Sequence, residues 1–256
     1  MIHRWFLLRE LVRRDFQGRY AGSLLGFVWS FVQPLFLLAL YYFVFGTVLR
    51  VRLVGESTGS FGLFLFAGLL PWMAFQEGVS RGATAVTDNA VLVKKLTFPS
   101  EILVLAVALT ALLHEGIAGV VFLVVVAAAG QASPASLPWL LLAIPLQMAL
   151  TLGLGFFLAS LNVLFRDISQ LLGMVLMAWF FLTPIVYPLG QVPAELQPWV
   201  AVNPLTVLTS LYRLAFFGGD PVPVWQLAGL AGVAVVVFLG GLVMFRRLKP
   251  TFVDEI

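Results

Sequence analysis

The chain has 256 residues, 61% hydrophobic and 11% charged, with a formal net charge of +3 and no cysteine. A soluble domain carries roughly twice that charged fraction, and the mean hydropathy of +1.02 makes a lipid bilayer the expected solvent. A nucleic-acid module is excluded because the basic residues flank apolar runs instead of gathering on one polar face, and disulfides and thiolate metal sites are excluded by the missing cysteines.

The expected architecture is an all-α integral membrane domain spanning residues 1–256. It has an interfacial helix at 1–20, a six-span bundle at 21–247 and a cytoplasmic tail at 248–256. In the first segment Trp5, Leu8, Val12 and Phe16 fall on one helical stripe, while Arg4, Arg9, Arg13, Arg14 and Arg19 crowd the approach to the membrane. The first span runs from about Leu24 to Leu49, with Pro34 as the expected kink point by its missing N–H. The second begins at Phe61 and stays free of charge only to Phe75. That run is about 22 Å of helix, short of a ~30 Å hydrocarbon core, so the span must continue through Gln76, Glu77 and Arg81. An inner loop from Thr87 to Glu101 carries Lys94 and Lys95 and breaks at Pro99.

The third span, about Ile102 to Ala129, is interrupted only by His114 and Glu115. The fourth, about Trp139 to Phe165, ends at an Arg166-Asp167 inner turn, and the fifth runs from about Ile168 to Val186. Prolines 188, 193, 198 and 204 then divide the chain. The piece Leu205 to Phe217 covers about 20 Å and is too short to cross, so it reads as a re-entrant or interfacial segment on the outer side. The last span is about Val224 to Phe245. With six crossings both ends lie inside, and every basic residue except Arg50, Arg52 and Arg213 falls on the inner side, as the positive-inside rule requires.

Ionisable groups inside a membrane are costly, so they are the first candidates for function. Glu77 and Arg81 are four residues apart on one helix and can pair. His114 and Glu115 adjoin in the third span. They could act as acid and base, or pair internally, line a wet cavity or hold helices together. No zinc-protease, nucleophile-elbow or phosphate-loop motif accompanies them, so no catalytic residue or metal site is expected, and any energy for transport comes from a gradient or another subunit. Aromatics form a second pattern: Trp29, Phe36 and Phe43 recur every seven residues beside Tyr41 and Tyr42, and Trp179, Phe180 and Tyr187 cluster near the outer end of the fifth span. They fit a sliding path for sugar rings, or ordinary interfacial belts and helix packing.

Several motifs occur in order along nearly the whole chain: Arg14-Asp15, Arg19-Tyr20, Leu25-Gly26, Trp29, Gln33-Pro34, Phe45-Gly46, Gly68-Leu69-Leu70-Pro71-Trp72, Asn89 through Lys95, Phe98-Pro99, Arg166-Asp167, Thr183-Pro184, Tyr187-Pro188 and Asn203-Pro204-Leu205. In these the chain resembles the permease subunit of ABC-2-type polysaccharide exporters, the branch that moves O-antigen, capsular and teichoic-acid polymers. The resemblance implies a homodimer in the cytoplasmic membrane joined to two copies of an ABC ATPase, with ATP and Mg on that partner and no cofactor in this chain. It implies that Asp88, Asn89, Leu92, Lys94 and Lys95 couple to the ATPase. Arg4, Arg9, Arg13 and Arg14 would meet the anionic head of a lipid-linked polysaccharide, and the aromatics would line a channel at the dimer centre. The alternatives are a permease for a small lipophilic drug or lipid, and a membrane-embedded sugar-lipid transferase using His114 and Glu115.

Overall fold

A computed structural model describes residues 2–18, 22, 26–49, 58–94 and 98–255; Arg19, Arg50, Arg52 and Lys95 lie outside them, as does the side chain of Arg4. Among the described residues the fold is helical throughout. α1 is Ile2–Gly18, α2 Trp29–Val48 and α3 Phe61–Thr84, followed by the short α4, Ala90–Val93. Then come α5 (Glu101–Ala128), α6 (Leu140–Leu164), α7 (Ile168–Leu182), α8 (Gln197–Val202), α9 (Pro204–Phe217), α10 (Val224–Leu248) and α11 (Phe252–Glu255). Among the described residues five helices are long and apolar enough to cross a membrane: α2, α3, α5, α6 with its 3₁₀ lead-in, and α10 with its tail.

α3 is the central helix. Eighty-three per cent of its apolar stretch is buried, and Phe64, Phe75 and Val79 are among its enclosed side chains. It packs against α5, α6, α7 and α9, so a helix that is apolar all round from Phe61 to Phe75 occupies the interior over that stretch, having no polar face to show there. α6 and α10 cross at two glycines. A Cβ on Gly241 would lie 2.0 Å from the Gly153 carbonyl oxygen, and one on Gly153 would lie 2.6 Å from that of Val237. Such closeness is how membrane helices gain dispersion contacts without a hydrophobic drive.

α2 is the opposite of α3: 6% of its apolar stretch is buried within the chain. From Tyr42 to Val48 it widens into π turns, and the Leu49 N–H donates to the Val44 carbonyl, five residues back, at 2.8 Å. α7 is shorter than the expected fifth span. Its helix stops at Leu182, because Thr183 precedes a proline and takes an extended conformation (φ −102°, ψ 133°). Only Leu172 and Leu176 of α7 are buried.

α9 is a short helix enclosed by the bundle, in accord with the re-entrant reading. Asn203 caps it by accepting from the Leu205 N–H at 3.1 Å, with Pro204 at the first helical position. The Asn203 amide also donates to Thr183 Oγ1 at 3.0 Å and accepts from Trp179 Nε1 at 3.0 Å, tying the start of α9 to the end of α7. Its far end meets the α5–α6 connection, where the Ser133 N–H donates to the Phe216 carbonyl. Arg213, assigned by topology to the outer side, is only 9% exposed. It donates to the carbonyls of Ile185 (3.1 Å) and Phe64 (3.4 Å), and its guanidinium lies 3.5 Å above the Phe64 ring. A weakly hydrated, planar cation can enter the interior when carbonyls and an aromatic face replace its water.

Candidate functional site

The ends of α1 and α3 and the middle of α5 converge on one cluster. α1 lies along the first half of α5, with Leu8 against Ile102 and Ala106, so part of the apolar stripe on α1 docks on protein. This brings Asp15 to Arg81, whose Nη2 donates to Asp15 Oδ1 while Nη1 donates to Glu77 Oε1 at 3.1 Å. The i, i+4 pair expected from sequence is therefore one arm of a three-membered bridge between α1 and α3. His114 joins it: its Nδ1 is 3.6 Å from Glu77 Oε1, and its ring stacks on Phe16 with centroids 5.0 Å apart.

Glu115 points elsewhere, although it is next in sequence. It is 7% exposed. Its Oε2 accepts from Gln147 Nε2 at 2.6 Å, and Gln147 Oε1 in turn accepts from the Tyr212 hydroxyl at 2.7 Å. One amide thus links α5, α6 and α9. Among the described residues Glu115 Oε1 has no hydrogen-bond partner. Gln147 and Tyr212 carried no signal in the sequence, since a single amide or hydroxyl in an apolar helix looks like any polar interruption. Helix-to-helix hydrogen bonding is what this arrangement does chemically: both carboxylates already hold protein partners.

Three hollows surround the cluster. A cavity of about 560 Å³ lies between α2, α3 and α5; its walls include Ser30, Gln33, Gln76, Glu77, His114 and Glu115. On the other side of the Phe16–His114 stack is an apolar groove of about 470 Å³, formed by α1 and α5 from Trp5, Leu8, Val12, Phe16, Leu109 and Leu113, with Arg9 and Arg13 along it. A third hollow is lined by Arg14, Asp15, Gly18 and Arg81. Arg9, Arg13 and Arg14 thus sit on two adjoining hollows. Among the described residues no group of three or more His, Asp or Glu is placed to hold a metal ion.

The inner loop is pinned from several sides. Asn89 Oδ1 accepts from Arg14 Nη2 at 3.2 Å, Asn89 Nδ2 donates to the Ala85 carbonyl at 2.9 Å, and Asp88 accepts from Thr84 Oγ1 at 2.7 Å. Leu92 is half-buried, whereas Asp88 and Lys94 are exposed. Val91, which the sequence did not single out, is 78% exposed between them. The C-terminal segment returns to this end: Lys249 Nζ donates to Glu101 Oε2 at 2.7 Å, and Phe252 is fully buried against Phe245.

The aromatics separate into two groups. Trp29, Phe36, Tyr42 and Phe43 project from α2 into the open, while Tyr41 is half-buried beside Phe45. On α7, Trp179 and Phe180 turn inward: the Trp179 ring meets Phe75 edge-on at 5.5 Å, and Phe180 lies 5.4 Å from Trp72. The outward side of α7 carries Met174, Met177 and Phe181 instead. Tyr187 donates its hydroxyl to the Phe181 carbonyl at 2.8 Å, and burial pushes that hydroxyl's pKa up.

Comparison with known proteins adds to this geometry. The profile of the family described as ABC-2 type transporter matches residues 7–217. The chain is 32% identical over 252 residues to the O-antigen export system permease protein RfbA of Myxococcus xanthus, covering 98% of this chain and 95% of that protein. It is 28% identical to the protein of the same name from Klebsiella pneumoniae, covering 97% and 94%. To the polysialic acid transport protein KpsM of Escherichia coli it is 24% identical, covering 97% and 95%.

Proposed function

The chain belongs to the ABC-2 type transporter family, and from that premise we propose that it is the permease subunit of an ATP-driven exporter carrying a lipid-linked, O-antigen-like polysaccharide out across the cytoplasmic membrane. The observation that carries the substrate side of this reading is the α1–α5 groove, whose apolar walls run alongside Arg9 and Arg13. Apolar walls suit a lipid tail, and guanidinium forks pair bidentately with phosphate oxygens. The names of the relatives above support the polymer class.

The permease works as a homodimer with two ATPase subunits, which bind ATP and Mg. Both ends face the cytoplasm, because the basic residues of α1, the inner loop and the tail then lie inside. Asp88, Val91 and Lys94 present the inner loop to the ATPase, and the bonds from Arg14 to Asn89 and from Asp15 to Arg81 pass its movement to α1 and α3. The open faces of α2 and α7 meet a second copy and form the channel seam. The polymer slides there on repeated weak contacts, since one deep site would trap it.

The test is co-purification with the ATPase encoded beside it, followed by ATPase assay in nanodiscs with and without a polyprenyl-diphosphate glycolipid. A co-purifying ATPase stimulated by the glycolipid is the expected result, with the stimulation lost in Arg9→Gln/Arg13→Gln. A chain that purifies without an ATPase and turns over a lipid-linked sugar by itself would overturn the proposal.

A further inference from the structure

We infer that the cavity between α2, α3 and α5 is a subsite for a neutral, hydroxyl-rich group, the first glycosyl unit attached to the lipid carrier. The inference rests on the export function proposed above and adds a place for the sugar distinct from the channel seam between two copies. Its volume of about 560 Å³ falls within the range of about 300 to 1,000 Å³ usual for small-ligand pockets.

The lining selects the ligand class. Ser30, Gln33, Gln76, Glu77, His114 and Glu115 all border the cavity, a mixture of donors and acceptors that matches vicinal hydroxyls, each of which both gives and takes a hydrogen bond. The Gln76 carbonyl oxygen is already occupied by Trp72 Nε1 at 2.8 Å, so its amide nitrogen remains to donate. Glu115 is 7% exposed and borders the cavity, and among the described residues its Oε1 has no partner. Leaving such a buried atom unpaired is unfavourable, and a ligand hydroxyl would remove that cost.

Other ligand classes fit worse. An anionic head would face two carboxylates, and among the described residues no lysine or arginine borders the cavity. A metal ion would need a ligand set that the described residues do not gather. An alkyl chain would strip seven polar side chains, Ser80 included, of water without replacing it. Leu70, Met73 and Ala74 supply the apolar wall that the C–H face of a sugar ring needs.

The neighbouring hollows strengthen the assignment. The apolar groove with Arg9 and Arg13 along it and the polar cavity both adjoin the cluster of Phe16, His114 and Glu77. Their chemistry follows the order lipid, phosphate, sugar along a polyprenyl-diphosphate glycolipid.

The test uses the natural absence of cysteine. Gln33→Cys places a single thiol on the cavity wall at an exposed position, and Glu195→Cys, exposed on the outer connection, is the reference thiol. The permease–ATPase complex in nanodiscs is labelled with a small maleimide in the presence of polyprenyl diphosphate, or of the same lipid carrying one hexose. Binding of each lipid is measured separately by retention of radiolabel. At ten times its Kd the hexosyl lipid is expected to slow labelling at position 33 about tenfold by occupancy. The sugar-free lipid is expected to bind and leave the rate unchanged, and position 195 to be indifferent to both. Glu115→Gln is expected to weaken protection by the hexosyl lipid alone. Equal protection by both lipids, no protection despite measured binding, or a thiol that never labels would each overturn the subsite while leaving the export function standing. Failure of either lipid to bind would overturn the export reading and the subsite with it.

Discussion

Gln147→Leu tests whether one buried amide holds three helices together. The substitution keeps nearly the same volume, so cavity effects are small, but it strands two groups: Glu115 Oε2, which accepts from the amide at 2.6 Å, and the Tyr212 hydroxyl, which donates to it at 2.7 Å. Each stranded buried group costs about 1 to 3 kcal/mol. Interhelical hydrogen bonds in membranes average only about 0.6 kcal/mol when both partners can find substitutes, which places the expectation near the low end, about 2 kcal/mol. For a chain of this size that is a fall in Tm of about 4 to 8 °C, read by thermal unfolding of the purified protein in detergent. The sharper test is the double mutant. If the cost comes from stranded groups, Glu115→Leu introduced into Gln147→Leu recovers part of the loss, although each single change is destabilising. A Tm unchanged by Gln147→Leu, or strictly additive single and double mutants, would refute the reasoning.

Gly241→Leu is expected to abolish folding of the purified permease, seen as loss of the monodisperse peak in size-exclusion chromatography, because even a Cβ would lie 2.0 Å from the Gly153 carbonyl oxygen; Gly240→Leu, with nothing near its Cβ, is expected to leave the peak intact. Arg213→Lys is expected to lower Tm more than Arg246→Lys, since an ammonium keeps the charge of Arg213 but cannot both lie flat on Phe64 and reach the carbonyls of Phe64 and Ile185; equal shifts would show that only charge matters there. Val91→Asp is expected to release the ATPase in pull-downs without lowering the permease Tm, because a residue 78% exposed contributes to a partner contact and little to the fold. Asp15→Asn is expected to reduce substrate-stimulated ATPase several-fold while shifting stability by less than about 1 kcal/mol, the usual limit for a partly exposed ion pair; a large Tm loss would make this bridge structural.

What could be read in the sequence was set by periodicity, charge and prolines. The long apolar runs of α3, α5, α6 and α10 had few other physical options, and the i, i+4 spacing of Glu77 and Arg81 already implied their pairing. Pro204 after Asn203 marked the start of α9, whereas the expected fifth span extends to Val186, past Pro184, before which α7 ends at Leu182. Convergence was not legible in the same way. Asp15 reaches Arg81, and Gln147 reaches Glu115, across separations of 66 and 32 residues, and no local pattern encodes which of many polar residues will meet. His114 and Glu115 show the limit most clearly. As neighbours in sequence they invited a joint role, yet adjacent helical positions point about 100° apart. One joins Glu77 and Phe16, and the other joins Gln147 and Tyr212. The same rotation separates Val91 from Leu92, which puts an apolar side chain outward where sequence alone favoured the inward one. Arg213 was placed on the outer side by the count of crossings and the positive-inside rule, neither of which says how deeply it is buried. Its pairing is with two backbone carbonyls and a ring, groups that every stretch of sequence possesses and that only the fold can direct at one guanidinium.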